Sequence, residues 1–171
     1  MALSFFYSFN FPVVVARPFN TYGPRQSARA IIPTIISQMA SQQTEIRMGD
    51  LNPTRDFTFV KDTCQGFIAI AGMDGGAGEV YQIGTNREIR MGDLFQVIAD
   101  LMESKATPLT ETERLRPEKS EVRRLWCDNT KLRNATGFEP ATPLREGLAA
   151  TIEWFRRPEN LVRYKGHLYN V

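Results

Sequence analysis

Apolar positions along the chain follow two periods, and the switches between them set out the elements. Val13-Val14-Val15-Ala16 is a β-branched run held between Pro12 and Pro18, too short for a helix and suited to a buried strand. Glu45 to Met48, Asp56 to Val60 and Glu79 to Ile83 read as further strands, with Phe57 and Phe59 on one face of theirs. Helical spacing takes over at Ile31, Ile32, Ile35, Ile36 and Met39, where Pro33 is tolerable in a first turn. It returns at Phe67, Ile68 and Ala71, expected to pack, and most clearly at Leu94, Val97, Ile98, Leu101 and Met102. Leu144, Leu148, Ile152 and Phe155 make the stripe of a last long helix, with Trp154 beside it. Gly49 to Pro53, Gly75 to Gly78, Gly84-Thr85-Asn86 and Thr136 to Pro140 are the punctuation, and Asp128 to Lys131 reads as a cap for the helix carrying Leu132 and Ala135. Strands alternating with helices predict an α/β fold.

The apolar amino terminus, Met1 to Asn10, has no basic region before it, since the first positive charge is Arg17, so a core helix is expected rather than a secretory leader. No stretch approaches the roughly 20 apolar residues that span a bilayer, which predicts a cytoplasmic protein without a membrane partner. With 171 residues and 42% hydrophobic content, one core is expected. A net charge of +2 from 21 basic and 19 acidic residues, with no dense basic block, argues against a nucleic-acid partner. Cys64 and Cys127 are isolated and His167 is the sole histidine, so a metal site, a disulfide framework and a histidine-based nucleophile system all lack material. Both thiols are expected to be reduced and structural.

Candidate chemistry gathers where the first strand ends. Arg17, Asn20, Tyr22 and Arg25 follow it in a loop punctuated by Pro18, Gly23 and Pro24, and ligands of open α/β sheets collect at the carboxyl ends of strands. An anionic ligand suits such a loop, although turn chemistry alone accounts for its prolines and glycine. Arg55 precedes another strand, and its guanidinium fork fits phosphate oxygens; the structural alternative is a surface pair with Asp56 or Asp62. Between Thr107 and Arg124 charged residues crowd a segment with few apolar ones, which reads as a solvated loop.

Three ordered motifs bring these features together: Arg17-Pro18-Phe19-Asn20-Thr21-Tyr22-Gly23-Pro24-Arg25-Gln26, then Ala30-Ile31-Ile32-Pro33, then Pro53-Thr54-Arg55-Asp56-Phe57-Thr58-Phe59-Val60-Lys61-Asp62. They resemble the extended short-chain dehydrogenase/reductases, and among them the NAD-dependent nucleotide-sugar 4,6-dehydratases and epimerases. The resemblance covers the second half of that family's fold. It implies the last part of a Rossmann-type sheet over residues 1–27 and a small α/β nucleotide-sugar-binding domain over 28–171. It further implies substrate contacts at Asn20, Ala30, Ile31, Ile32, Arg55, Arg116, Ser120 and Glu121. Within that set, Arg55 and Arg116 would meet the diphosphate, and Ser120 and Glu121 the ribose. Pro18 and Phe19 would pass near the nicotinamide.

In a complete enzyme of this family, NAD takes hydride from the sugar C4, water leaves across C5 and C6, and the hydride returns at C6. The tyrosine–lysine pair that serves the oxidation has no counterpart in these residues, and neither does the glycine-rich dinucleotide turn. No catalytic residue is therefore assigned, and the chain alone is expected to hold no NAD. Expected partners are a nucleoside-diphosphate sugar and either a second copy or a separately encoded amino-terminal half. A 4-epimerase fragment and a non-catalytic nucleotide-sugar-binding module are the alternatives.

Overall fold

The computed structural model describes residues 1–114 and 120–164. In chain order its elements begin with α1 (Ala2–Phe9), β1 (Val15–Pro18), β2 (Asn20–Tyr22), α2 (Ile31–Ala40), β3 (Glu45–Met48), β4 (Thr54–Arg55) and β5 (Phe57–Phe59). They continue with α3 (Val60–Gly72), β6 (Val80–Ile83), β7 (Ile89–Arg90), α4 (Met91–Met102), β8 (Thr107–Thr110) and β9 (Arg124–Leu125). The last are α5 (Thr130–Thr136), α6 (Leu144–Arg156) and α7 (Pro158–Leu161). The chain is α/β, and it divides into two compact units, neither of which is a continuous segment. Among the described residues no helix is long and apolar enough to cross a membrane.

The first unit comprises Met1–Thr21, Asp56–Glu88 and Trp126–Thr142. Its β1 and β6 run parallel, Val15 opposite Val80 and Pro18 opposite Ile83. Ile70, Tyr81, Ile83 and Leu132 form the buried centre, with Val14, Ala16, Met73 and Phe138 packed against it. The β-branched run does become a strand, two residues later than its sequence suggests, and it is half-buried rather than buried. Among the described residues β6 is its single strand neighbour.

Helix α3 turns a different face inward from the one its apolar residues predict. Phe67 and Ile68 are exposed, whereas Asp62, Thr63, Gly66 and Ile70 are buried. The carboxylate of Asp62 accepts hydrogen bonds from the amides of Ala141 (3.3 Å) and Thr142 (3.0 Å), and a Cβ on Gly66 would sit 2.7 Å from Cγ2 of Ile83. The rotation of α3 is thus fixed by a buried acceptor and by a close helix–strand approach. Helix α1 also departs from expectation: it forms, ending in a left-handed Asn10, but buries none of its side chains fully.

The second unit comprises Tyr22–Arg55, Ile89–Leu125 and Pro143–Val171. Its core lies among α2, α4 and α6, where Ile32, Ile35, Ile36, Leu94, Ile98, Leu148, Ile152 and Phe155 are all buried. Each such side chain contributes about 1.5–3 kcal/mol on removal from water, so these stripes specify the packing. Gln38 clamps α2 to β3, donating from Nε2 to the Arg47 carbonyl (3.1 Å) and accepting from the Arg47 amide (2.9 Å). Within the charge-rich stretch expected to be a loop, Thr107–Thr110 instead pairs in parallel with Glu45–Met48, its side chains all exposed. A three-stranded sheet holds β4 between β7 and β9, antiparallel to the first and parallel to the second.

Candidate functional site

Unit 1 carries the loop that follows β1. The Phe19 amide donates to the Ile83 carbonyl (2.9 Å), which extends the sheet and fixes the Pro18-Phe19 corner. Asn20 donates from Nδ2 to the Asp56 carbonyl (2.9 Å), leaving Oδ1 as the acceptor a ligand hydroxyl can use. Thr21 joins α3 through its hydroxyl, 3.0 Å from that of Thr63.

The same unit contains a carboxylate whose role the sequence did not disclose. Asp56 is completely buried and accepts from the Thr85 amide (3.0 Å), the Thr85 hydroxyl (2.7 Å) and the Cys127 amide (3.3 Å). A buried carboxylate needs such donors. Neither Asp56 nor Asp62 pairs with Arg55; both are spent on this unit's own framework. Burial pushes the Cys127 thiol up to about 12, with the Asp56 and Asp128 carboxylates adding to the effect. Such a thiol is inert at neutral pH. Among the described residues no group of acids, histidines and cysteines could hold a metal ion.

Unit 2 carries the remaining candidates. Ala30 caps α2 with extended backbone and no side-chain bond, and Ile31 and Ile32 stand in the first turn, where amides lack intrahelical acceptors. Arg55 ends β4 with its side chain only 14% exposed. Its Nη1 donates to the Thr54 carbonyl (2.8 Å) and its Nη2 to Oε1 of Glu121 (2.9 Å). Glu121 is equally enclosed, at 18% side-chain exposure. The partner of Arg55 is therefore an acid from the candidate list itself, 66 residues away. Ser120 is exposed beside it, and Arg116 lies outside the described residues.

The amide of Phe19 is spent on the sheet, and among the described residues no glycine-rich turn opens a helix. A parallel strand pair with a polar loop at the carboxyl end of β1 is an arrangement found in open α/β folds.

Comparison with known proteins makes this specific. Residues 1–151 match the family model described as GDP-mannose 4,6 dehydratase, and the chain belongs to that nucleotide-sugar epimerase/dehydratase family of extended short-chain dehydrogenase/reductases. A dTDP-glucose 4,6-dehydratase from an Actinoplanes species is 31% identical over 91% of the chain and 48% of the relative. A UDP-glucose 4-epimerase from Mycolicibacterium smegmatis is 36% identical over 81% of the chain and 44% of the relative. Among solved structures, a UDP-glucuronic acid 4-epimerase from Bacillus cereus, in complex with UDP-glucuronic acid and NAD, superposes with a TM-score of 0.81 at 26% identity. That match covers 90% of this chain and 48% of the other. The chain thus spans about half the length of the curated relatives it matches.

Proposed function

We propose that the chain is the substrate-binding half of a cytoplasmic, NAD-dependent nucleotide-sugar 4,6-dehydratase, and that it binds a nucleoside-diphosphate sugar. The observation that carries the reading is Arg55: an enclosed guanidinium pinned by Thr54 within the Pro53-to-Asp62 motif of a chain belonging to this family. Arg55 and Arg116 hold the diphosphate, the latter from the Arg116-Pro117 segment. Ser120 and Glu121 meet the ribose, and Asn20 offers Oδ1 toward the sugar. Ala30, Ile31 and Ile32 contribute first-turn backbone donors. Residues 28–171 form the substrate part and 1–27 the end of the dinucleotide part, in which Pro18 and Phe19 pass near the nicotinamide.

When bound, NAD supplies the oxidising and reducing equivalents at the sugar. What these residues contribute is binding and orientation of the nucleotide. A 4-epimerase is the second reading, supported by the 36% identity to the M. smegmatis enzyme.

The test is to mix the purified 171-residue chain with NAD and with UDP-, GDP-, CDP- and dTDP-sugars, following nucleotide binding and the 4-keto product. Nucleoside-diphosphate binding without NAD binding or turnover is the expected result. Turnover by this polypeptide alone overturns the placement of the catalytic groups, and no binding of any nucleotide overturns the substrate assignment.

A further inference from the structure

We infer that Arg55 and Glu121 form an exchangeable lock, in which the Glu121 carboxylate holds the place on the guanidinium that a phosphate oxygen takes, and the pair opens as ligand binds. The inference rests on the proposed function, in which Arg55 is the diphosphate anchor. The two halves of the pair are mounted differently. Arg55 is fixed twice over: its Nη1 is tied to the Thr54 carbonyl, and Thr54 sits in the middle strand of β7, β4 and β9, its amide bonded to the Arg123 carbonyl (2.9 Å). Glu121 stands outside regular structure, next to exposed Ser120. When an anion arrives, Arg55 stays and Glu121 is the group that moves.

The electrostatics requires the exchange. A diphosphate oxygen and a carboxylate compete for the same Nη2 donor, and leaving both anions on one enclosed guanidinium sets like charges together in a poorly solvated place. Measured affinity is therefore the phosphate contact less the cost of breaking the ion pair. Glu121, once released, is an ionised acceptor that must find donors, and vicinal hydroxyls supply them. A bare anion brings none. The lock thus discriminates against inorganic phosphates and in favour of a phosphate carried on a sugar.

Calorimetric titration of the 171-residue chain with inorganic pyrophosphate and with UDP tests this in the native sequence, Glu121→Gln, Glu121→Ala, Arg55→Ala and the Arg55→Ala/Glu121→Gln double variant. Glu121→Gln is expected to bind pyrophosphate about fivefold tighter, the equivalent of one modest charge-assisted contact no longer broken. Its affinity for UDP rises less, and the gain disappears in the Arg55→Ala background. Glu121→Ala gives the same direction without an amide to replace the lost oxygen. Pyrophosphate affinity that is unchanged or lower in both Glu121 variants, while Arg55→Ala still weakens UDP, overturns the lock and leaves the proposed function standing. UDP affinity that Arg55→Ala does not alter overturns both.

Discussion

Arg55 and Asp56 are neighbours in the chain, both enclosed and both ionisable, yet they belong to different units and have opposite capacities for exchange. Asp56 has no exposed surface and takes three donors from Thr85 and Cys127. Arg55 keeps some exposure and, among the described residues, makes only two of the five hydrogen bonds its fork allows. A charge whose capacity is filled by its own fold is framework. A charge held by one replaceable carboxylate is where a ligand can enter.

The largest expected effect of breaking this contrast falls on Asp56. Replacing it with Ala leaves the Thr85 and Cys127 amides without their acceptor, while the Thr85 hydroxyl keeps Arg87, and should cost about 2–5 kcal/mol at about 1–3 per unsatisfied donor. Urea unfolding of Asp56→Ala measures this directly. A loss below 1 kcal/mol would mean that water reaches the site and that Asp56 is not framework.

Arg55 should show the reverse pattern, weakening ligand binding while leaving the fold largely intact. Arg55→Ala is expected to reduce nucleoside-diphosphate affinity by about 1.5–3 kcal/mol, the range for a hydrogen bond to a charged group. Arg116→Ala should act in the same direction. Unchanged affinity in both variants would remove the two arginines from the site.

The contrast also marks where sequence reading reaches and where it stops. The stripes of α2, α4 and α6 were legible because each packs one apolar face into the core, and the 3.6-residue period records that directly. The face of α3 was not, because what turns it inward is a carboxylate capturing amides some 80 residues away and a glycine admitting Ile83. Strand β8 was hidden because its pairing with β3 leaves its four side chains exposed, so no apolar alternation appears. Arg55 could be picked out from its motif and its chemistry. Its pairing with Glu121 could not, since local spacing carries no information about a contact across 66 residues. The weaving of the chain between two units is likewise a property of long-range contacts.

A smaller effect is expected at α1, where Phe5 is 50% and Phe9 75% exposed and their rings lie 5.9 Å apart. The double substitution Phe5→Ser/Phe9→Ser should change unfolding stability by no more than about 0.5 kcal/mol, as surface changes do. Velocity sedimentation run alongside distinguishes the alternative. A loss well above 1 kcal/mol, accompanied by a lower sedimentation coefficient, would show that a second chain covers this face in solution.

The two cysteines repeat the contrast in its mildest form, with no effect at neutral pH. Cys64 is exposed and should react readily with a thiol reagent at pH 8, while buried Cys127 should stay protected until the chain opens. The sign of the pH effect follows from the thiol's shift from 9.0 to about 12. The folded chain holds this proton more tightly than the unfolded one, so the unfolded thiol ionises first as pH rises past about 9, and stability then falls progressively until the folded thiol also ionises near 12. Below pH 9 this contribution is constant. Cys127→Ala should remove this alkaline slope. Denaturant midpoints measured between pH 7 and 11 decide the matter: equal slopes in the Cys127→Ala and native chains would show that burial, with the Asp56 and Asp128 carboxylates, does not hold the thiol neutral.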